Sequence, residues 1–212
     1  MIQFENIVVS GWEAAIRGMR NPMNSWEKSD SGRAYAGDGS FTVGPEDLKL
    51  MQALRRGGPD HGKFMRMIDV SLDITAMQPW WFEFDTYKIG TVRNSCSKMH
   101  RIHVKPFDES DFETEGISQV AYAYSAFGGL LKTLEKLRRD FNATNDRKYW
   151  RALIELLPEG YKMRATVKLN YEVLYAMYHA RKNHKLTEWH AFCDMIASLP
   201  YAYELIIGGK PC

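Results

Sequence analysis

Two segments of the chain alternate strictly between apolar and polar residues, and each predicts a half-buried β-strand. The first is "IDVSLDI" (68–74), in which every second residue is Ile, Val or Leu. The second is "KMRATVKL" (162–169), in which four apolar residues alternate with lysine, arginine and threonine. Successive side chains of a strand point to opposite faces, so this period of two indicates one buried and one exposed face.

Apolar residues at a spacing of three and four predict that most other ordered segments are helices. Gly44–Pro45 and "GGP" (57–59) delimit one of them, and Asn170 is a natural N-cap for another. Thr187 is predicted to cap the last helix, which ends before Pro200. The predicted helices cover residues 11–18, 45–56, 79–87, 117–139, 146–157, 171–182 and 188–199.

The segments between these elements complete the outline of the fold. "SWEKSDSGRAYAGDGS" (25–40) is rich in Gly and Ser and predicts a loop, and 88–116 is predicted to be irregular. Few strands with many helices indicate an α/β or α+β domain with a helical majority. A length of 212 residues predicts one large domain or one domain with an appendage, and we favour a single domain over residues 1–212.

Composition narrows the class of protein. A net charge of +2 does not indicate a nucleic-acid-binding protein, because such proteins carry a clustered basic excess. The N-terminal segment lacks a signal-peptide pattern, and no apolar run is long enough to span a membrane. Three irregularly spaced cysteines, Cys96, Cys193 and Cys212, suit free thiols in a reducing cytoplasm. We therefore expect a cytoplasmic protein without nucleic-acid or membrane partners.

Several common chemical motifs are absent or incomplete. "GGPDHGKF" (57–64) matches the start of a phosphate-binding loop, but a helix precedes it, a strand follows it, and Phe64 replaces the hydroxyl residue. No G-x-G-x-x-G follows a strand, and no nucleophile elbow occurs. His100 and His103 are close in sequence without an accompanying H-E-x-x-H or C-x-x-C, so no metal site is predicted.

The most specific stretch is "LPEGYKMRATVKLNYEVLYAMYHAR" (157–181). It resembles the C-terminal signature of the flavin-dependent thymidylate synthases, in which a helix end, a strand, an Asn and a helix with an Arg follow in order. The intervals from Pro158 to Asn170 and from Asn170 to Arg181 match those expected of that family. A strand-to-helix turn of this kind directs Asn170 and backbone N–H groups toward an anionic ligand.

The middle of the chain resembles the same family more loosely. Helix 45–56, His61, strand 68–74 and helix 79–87 precede "TYKIGTVRNSCSKMH" (86–100), which corresponds to the family's central motif R-H-R-x-x-S-x-N-E-x-S-x-R. His61 stands at the distance expected of the family's flavin-contacting His. The resemblance covers roughly residues 45–100 and 150–200, which is most of the predicted fold.

This chain departs from the central motif at its most basic positions. Thr86, Tyr87 and Lys88 replace Arg-His-Arg, whereas Thr91 keeps the hydroxyl of the first Ser. Glu172 stands near Asn170 at a position where the family usually has Arg, and "LTEW" (186–189) replaces A-Q-x-E. Lys cannot reproduce the two-pronged grip of Arg on phosphate.

The segment "NSCSKMH" (94–100) aligns with the motif in two ways. Without a gap, Cys96 and Lys98 fall on the second Ser and the final Arg. With one inserted residue, Asn94 and Ser97 take the Asn and Ser positions and Met99 replaces the Arg. We favour the second placement, because it preserves the Asn and Ser pair. Either other residues have taken over the role of the missing phosphate-binding arginines, or the ligand has changed. The candidate replacements are Arg93, Lys98, Arg101 and Arg164.

The resemblance implies a fold, a reaction and an assembly. The fold is a small, twisted, mainly antiparallel sheet with a helical majority. The assembly is a homotetramer that binds FAD and methylates dUMP at C5, with NADPH and methylene-tetrahydrofolate as co-substrates. A methylase of another pyrimidine nucleotide and a non-catalytic flavin- or nucleotide-binding relative are the alternatives. The residues implied for the flavin are His61, Lys88, Thr91 and Asn170.

Arg181 and Ser97 are the residues implied for substrate and catalysis. Arg181 would stabilise negative charge on a pyrimidine carbonyl, and Ser97 would lie beside the ring. Each residue also has a simpler interpretation. In the simpler interpretation, Arg181 has no role beyond a favourable interaction with the dipole at a helix C-terminus, and His61 is a plain loop residue. The aromatic stripe in 79–87 could stack on a flavin or folate ring, but it is more typical of a core.

Overall fold

The computed structural model describes residues 1–33 and 41–208, which form a small sheet and many helices. The strands are β1 (Gln3–Ser10), β2 (Gly32–Arg33), β3 (Phe41–Thr42), β4 (Asp69–Met77), β5 (Val92–Ser95) and β6 (Lys162–Asn170). One four-stranded sheet has the order β1-β4-β6-β5, and β2 pairs with β3 in an antiparallel ribbon. The fold is mixed α/β with 56% helix and a small antiparallel sheet, which confirms the predicted fold class.

Helices account for most of the described residues. Shorter 3₁₀ turns cover Asn21–Met23, Trp26–Lys28, Gly62–Met67 and Glu109–Asp111, and a π-helical turn covers Tyr203–Ile207. The α-helices are α1 (Trp12–Arg20), α2 (Pro45–Arg56), α3 (Gln78–Phe84), α4 (Lys98–Arg101), α5 (Glu115–Ser118), α6 (Ala121–Thr144), α7 (Arg147–Leu156), α8 (Tyr171–Arg181) and α9 (Thr187–Ala197).

Strong local signals gave accurate boundaries. Both predicted strands are confirmed as β4 and β6, and β4 extends three residues further, to Met77. Helix α2 has the predicted bounds because Pro45 begins it, acidic residues occupy its first turn, and arginines occupy its last. Asn170 caps α8 as predicted, since its side chain accepts a hydrogen bond from the Val173 N–H.

Four predictions about local structure were wrong or incomplete. The segment 88–116 is not wholly irregular, because it contains β5, α4 and the start of α5. Helix α3 ends at Phe84, so Tyr87 lies beyond it. Val120 is extended and separates α5 from α6, which shifts the long helix toward the C-terminus. Thr187 is the first residue of α9 and no side chain caps that helix, because Leu186 occupies the N-cap.

The N-terminal half also differs from expectation. Strand β1 was missed because its residues are mostly exposed, which leaves little alternation in its sequence. The predicted loop 25–40 holds a 3₁₀ turn at Trp26–Lys28 and the two residues of β2, and its remaining part, 34–40, lies outside the described residues.

The residues group into two compact units. Unit 1 comprises Met1–Gln3, Ile74–Thr86 and Asn94–Thr166, and unit 2 comprises Phe4–Asp73, Tyr87–Arg93 and Val167–Cys212. Strands β4 and β6 contribute residues to both. The sequence prediction of one domain over 1–212 stays a prediction.

The core of unit 1 lies between helices α5, α6 and α7. Its fully buried residues are Ile102, Phe112, Phe127, Leu134 and Leu153. Phe112 meets Phe127 edge-on, with ring centroids 5.3 Å apart. Burial of apolar surface of this kind is the main stabilising contribution to a domain of this size.

The core of unit 2 forms around α8. The ring of Trp12 packs edge-on against Tyr171 at 5.3 Å and against Tyr201 at 5.2 Å. The buried Tyr171 hydroxyl donates a 2.6 Å hydrogen bond to the Pro200 carbonyl, and burial raises the pKa of Tyr171 well above its usual value. The first turn of α8 is therefore fixed in the core of this unit.

An ion pair is buried in unit 2. The Arg20 Nε donates a 2.7 Å hydrogen bond to Asp47 Oδ1, and the Asp47 side chain has no exposed surface. Hydroxyl groups of Ser29 and Ser31 donate to the other carboxylate oxygen, each at 2.6 Å. Both oxygens of this buried carboxylate thus accept hydrogen bonds, as a buried charge requires.

The described thiols are unlinked. Cys96 is exposed and Cys193 is buried. Burial raises the pKa of the Cys193 thiol to about 11, which keeps it protonated at neutral pH. Cys212 lies outside the described residues. Separately, none of the helices in residues 1–33 and 41–208 is long and apolar enough to cross a membrane.

Candidate active site

The turn between β6 and α8 positions Asn170. Its side-chain oxygen accepts a 3.1 Å hydrogen bond from the Val173 N–H, which satisfies one of the unpaired donors at the helix N-terminus. Asn170 is partly buried, so part of its side chain is accessible beside the first turn of α8.

The segment Tyr87–Thr91 folds into a tight turn beside Asn170. Gly90 has φ of 79°, and a Cβ placed there would lie 2.9 Å from Val173 Cγ2 and 3.1 Å from Asn170 Nδ2. The Thr91 hydroxyl donates to the Tyr87 carbonyl and closes the turn. Glycine at position 90 is therefore required both by backbone conformation and by close approach to α8.

We expect Gly90→Ala to destabilise the protein by about 2 kcal/mol, because left-handed backbone alone costs about 1–2 kcal/mol for a residue with a Cβ and the clash adds to it. The free energy of unfolding in denaturant measures this. Gly58→Ala is the matched control, since Gly58 has φ of 94° but nothing within 4 Å of its Cβ position. Equal losses in both variants would show that contact with α8 contributes nothing.

Arg181 ends α8 and lies against two aromatic rings. Its Nε donates a 3.0 Å hydrogen bond to the Tyr87 hydroxyl. Its guanidinium carbon lies 4.8 Å from the ring centroid of Trp189 and 5.5 Å from that of Tyr87. A cation held by a hydrogen bond and a ring face has a defined orientation, which a solvated residue that only favours the helix dipole does not need.

The segment before β4 contacts the same first turn of α8. Arg66, in the 3₁₀ turn Gly62–Met67, donates two hydrogen bonds to the Glu172 carboxylate, one of them 3.1 Å from Nη2 to Oε1. These hydrogen bonds to Glu172 raise the pKa of Arg66 above its usual value. Glu172 stands at a position where the flavin-dependent thymidylate synthases usually have Arg. In this chain the arginine at this turn is Arg66, which comes from a different segment. No local signal in the sequence indicates Arg66 as a partner of this turn.

The remaining residues implied for the flavin are accessible. His61 is exposed, precedes the same 3₁₀ turn and packs against Gly57. Lys88 is exposed in the turn that contains Gly90. His61, Lys88, Thr91, Asn170 and Arg181 all belong to unit 2. The contacts of the turn bring Tyr87–Thr91 together with Asn170 and Arg181, whereas His61 precedes the 3₁₀ turn whose Arg66 contacts Glu172 of α8.

Ser97 belongs to unit 1 and borders a basic cleft of about 430 Å³, here called the Ser97 cleft. Five cationic side chains and one carboxylate line it. Its polar lining residues are Thr75, Cys96, Ser97, Lys98, Arg101, Lys105, Asp111, Tyr161, Lys162 and Arg164. Three of the four residues suggested as replacements for the missing arginines are thus found in one cleft.

Local backbone geometry forms the Ser97 cleft. The Cys96 N–H donates a 3.0 Å hydrogen bond to the Arg164 carbonyl, which joins the end of β5 to β6. Ser97 is exposed, and its hydroxyl accepts a 3.3 Å hydrogen bond from the His100 N–H as the N-cap of α4. The Lys98 ammonium donates a 2.8 Å hydrogen bond to Gln78. Both Cys96 and Ser97 reach the cleft, so either alignment of 94–100 places a nucleophilic or hydroxyl group there.

The aromatic stripe of α3 is mostly core. Trp80, Trp81 and Phe84 are buried, and the Trp81 indole donates to the carbonyls of Ala76 and Met163 at 3.1 and 3.0 Å. Phe82 is the exception, with 59% of its surface exposed. The interpretation of this stripe as core is confirmed for the three buried rings. Separately, the described residues contain no group of three or more His, Cys, Asp or Glu side chains that could hold a metal ion.

Comparison with known proteins identifies the fold. No protein-family model matches the sequence, and no curated protein matches it. Thymidylate synthase X (ThyX) from Helicobacter pylori, solved with FAD and dUMP, is 16% identical, with a TM-score of 0.70 over 97% of each chain. A second structure of that flavin-dependent enzyme with the same ligands has 16% identity and a TM-score of 0.68, over 97% of this chain and 100% of the other. The chain therefore has the fold of the flavin-dependent thymidylate synthases.

Proposed function

We propose that this protein binds FAD and a pyrimidine deoxynucleotide and methylates dUMP at C5. The observation that carries the proposal is the Ser97 cleft, because it collects Lys98, Arg101 and Arg164 beside a serine in a chain with this fold. Cations at this density attract phosphate, and arginine can grip it with two hydrogen bonds. They replace the charge lost with the substituted Arg-His-Arg motif.

The residues near α8 fit a flavin nucleotide. Because Gly90 has no side chain, the 87–91 turn approaches α8 closely, and this brings the turn that Thr91 closes next to Asn170. Lys88 supplies a positive charge, and His61 an imidazole, for its phosphates or ring. When bound, FAD supplies the redox chemistry, with NADPH as reductant and methylene-tetrahydrofolate as carbon donor.

Arg181 and Ser97 are the proposed substrate residues. Arg181 stabilises negative charge on a pyrimidine carbonyl, and the Tyr87 hydroxyl and the Trp189 ring hold its guanidinium ready for that role. Ser97 binds beside the pyrimidine ring. The resemblance to the flavin-dependent thymidylate synthases implies that the active form is a cytoplasmic homotetramer.

A specific contact favours a second candidate function, a flavin- or nucleotide-binding relative without turnover. Tyr87 replaces the His of Arg-His-Arg, and its hydroxyl accepts a hydrogen bond from the Arg181 Nε, so one donor of Arg181 is already engaged by the protein. A third candidate, methylation of another pyrimidine nucleotide, is favoured by the changed charges at Glu172 and Arg66.

The first test is reconstitution with FAD followed by nucleotide titration. We expect a stoichiometric flavin spectrum after excess FAD is removed, saturable dUMP binding by calorimetry, and dTMP formation with NADPH and methylene-tetrahydrofolate. Binding without dTMP formation would support the second candidate, and turnover of dCMP but not dUMP the third. No flavin and no nucleotide binding would contradict all three.

Arg164→Ala tests the Ser97 cleft. We expect the Kd for dUMP to rise about 10- to 100-fold, because a hydrogen bond to a charged group contributes about 1.5–3 kcal/mol. The control is Lys168→Ala, on the same face of β6 but paired with Asp69 and outside the cleft lining. An unchanged Kd in Arg164→Ala would show that the phosphate binds elsewhere.

A further inference from the structure

A second cleft of about 410 Å³ lies in unit 1, and we call it the α4–α7 cleft. Its volume is within the range of small-molecule sites. It is lined by Met99, His100, His103, Phe141, Arg147 and Trp150. None of these residues belongs to the proposed dUMP or flavin sites.

The donors of this cleft lack protein acceptors. Within the described part of the chain, the Arg147 guanidinium and the His100 ring make neither an ion pair nor a side-chain hydrogen bond. The His103 Nδ1 is buried without a partner. No acidic residue lines the cleft. Asp146 precedes Arg147, but its carboxylate accepts from the Lys148 N–H and pairs with the Lys148 ammonium, each at 3.0 Å. A cluster of unpaired side-chain nitrogens that includes an arginine guanidinium, without an acid, favours an anionic ligand.

The walls of the cleft are flat and fixed. His103 meets Phe141 edge-on, with ring centroids 4.9 Å apart. The His103 carbonyl accepts hydrogen bonds from Arg138 and Asn142, which tie this segment to α6. Trp150, one turn after Arg147 on α7, is partly exposed. An aromatic surface beside an arginine is the arrangement that binds a nucleobase by stacking and its phosphate by charge.

We propose that the α4–α7 cleft is a second nucleotide site, which binds a nucleoside monophosphate through Trp150, Phe141, Arg147 and His100. The single turn of α4 contributes Met99 and His100 to this cleft and Lys98 and Arg101 to the Ser97 cleft. A nucleotide bound here contacts the turn that carries two cations of the other cleft. The binding itself does not depend on methylation of dUMP.

The test uses the full chain with Arg164→Ala, which weakens the Ser97 cleft, and titrates dTMP and dAMP by calorimetry. We expect saturable binding of at least one probe. Adding Arg147→Glu is expected to weaken that binding at least 10-fold. Adding Arg151→Glu, the same charge change one turn along α7 at a residue paired with Glu155, is expected to leave the Kd within about threefold.

A second variant guards against a folding defect. His100 is exposed, so His100→Ala should keep the circular dichroism spectrum and still weaken binding by several-fold. Three results would overturn the proposal. They are the absence of saturable binding to Arg164→Ala up to millimolar probe, equal losses in Arg147→Glu and Arg151→Glu, and unchanged binding in both Arg147→Glu and His100→Ala.

Discussion

Arg181→Ala is expected to lower the rate of dUMP methylation about 100- to 1,000-fold, the usual effect of removing one preorganised donor from an active site. The chain holds the Arg181 guanidinium with the Tyr87 hydroxyl and the Trp189 ring, so the charge needs no reorganisation when negative charge develops on the substrate. Because the group acts on the transition state, most of the loss should appear in kcat rather than in KM. Single-turnover assays on the FAD-loaded protein measure this.

A further variant and a control separate the effect of orienting the Arg181 guanidinium from the effect of its charge. Tyr87→Phe removes the hydrogen bond to Arg181 but keeps the ring, and we expect a smaller loss, about tenfold. Lys182→Ala, at the exposed next residue, is the control and should retain the parental rate. Full activity in Arg181→Ala with an unchanged unfolding transition would remove this residue from the proposed active site.

Asp47→Asn is expected to give the largest loss of stability, about 3–5 kcal/mol, because it leaves the Arg20 guanidinium buried without a counter-charge. The free energy of unfolding from denaturant titration measures this loss. Asp140→Asn is the control, since the Lys136–Asp140 pair on α6 is a surface i,i+4 pair that contributes only about 0.3–0.5 kcal/mol. The replacement of both Arg20 and Asp47 by apolar residues should cost less than Asp47→Asn alone. Equal effects of Asp47→Asn and Asp140→Asn would contradict the role of the buried pair.

The same carboxylate gives a pH signature. Burial alone would raise the pKa of Asp47, but hydrogen bonds from Ser29, Ser31 and Arg20 outweigh it and lower the pKa below 3.8. A lowered folded-state pKa stabilises the protein above the unfolded value, and that stabilisation is lost as the pH falls through the folded value. The stability difference between the parent and Asp47→Asn should therefore be constant above about pH 5 and should shrink below about pH 4.

Local signals in the sequence were enough for much of the fold. Pro45 and the arginines of its last turn fixed α2, and the alternation in β4 and β6 fixed two strands of the sheet. Strand β1 was not predicted, because a mostly exposed strand has no buried face that requires apolar and polar residues to alternate. The start of α9 was misplaced because Thr187 has the right chemistry for a cap but follows, rather than occupies, the N-cap position.

The candidate site was only partly predictable, because its contacts join distant segments. The period of two in β6 places Lys162 and Arg164 on one face, but only the pairing of β5 with β6 shows that this face meets Ser97. Arg66 and Glu172 are 106 residues apart, and neither has a local signal that indicates the other. Pairs of this kind need the tertiary structure.

The turn at Gly90 bears on protein engineering. Its shape depends on the left-handed glycine and on the closing bond from Thr91 to Tyr87, not on the side chain of Lys88. Arginine can therefore be restored by Lys88→Arg without rebuilding the backbone, while Tyr87 is kept as the partner of Arg181. Thr86→Arg, by contrast, removes the 2.6 Å hydrogen bond that the Thr86 hydroxyl donates to the Glu83 carbonyl. Divergence at Lys88 is in that sense reversible, because one substitution at an exposed residue restores the two-pronged phosphate contact of arginine.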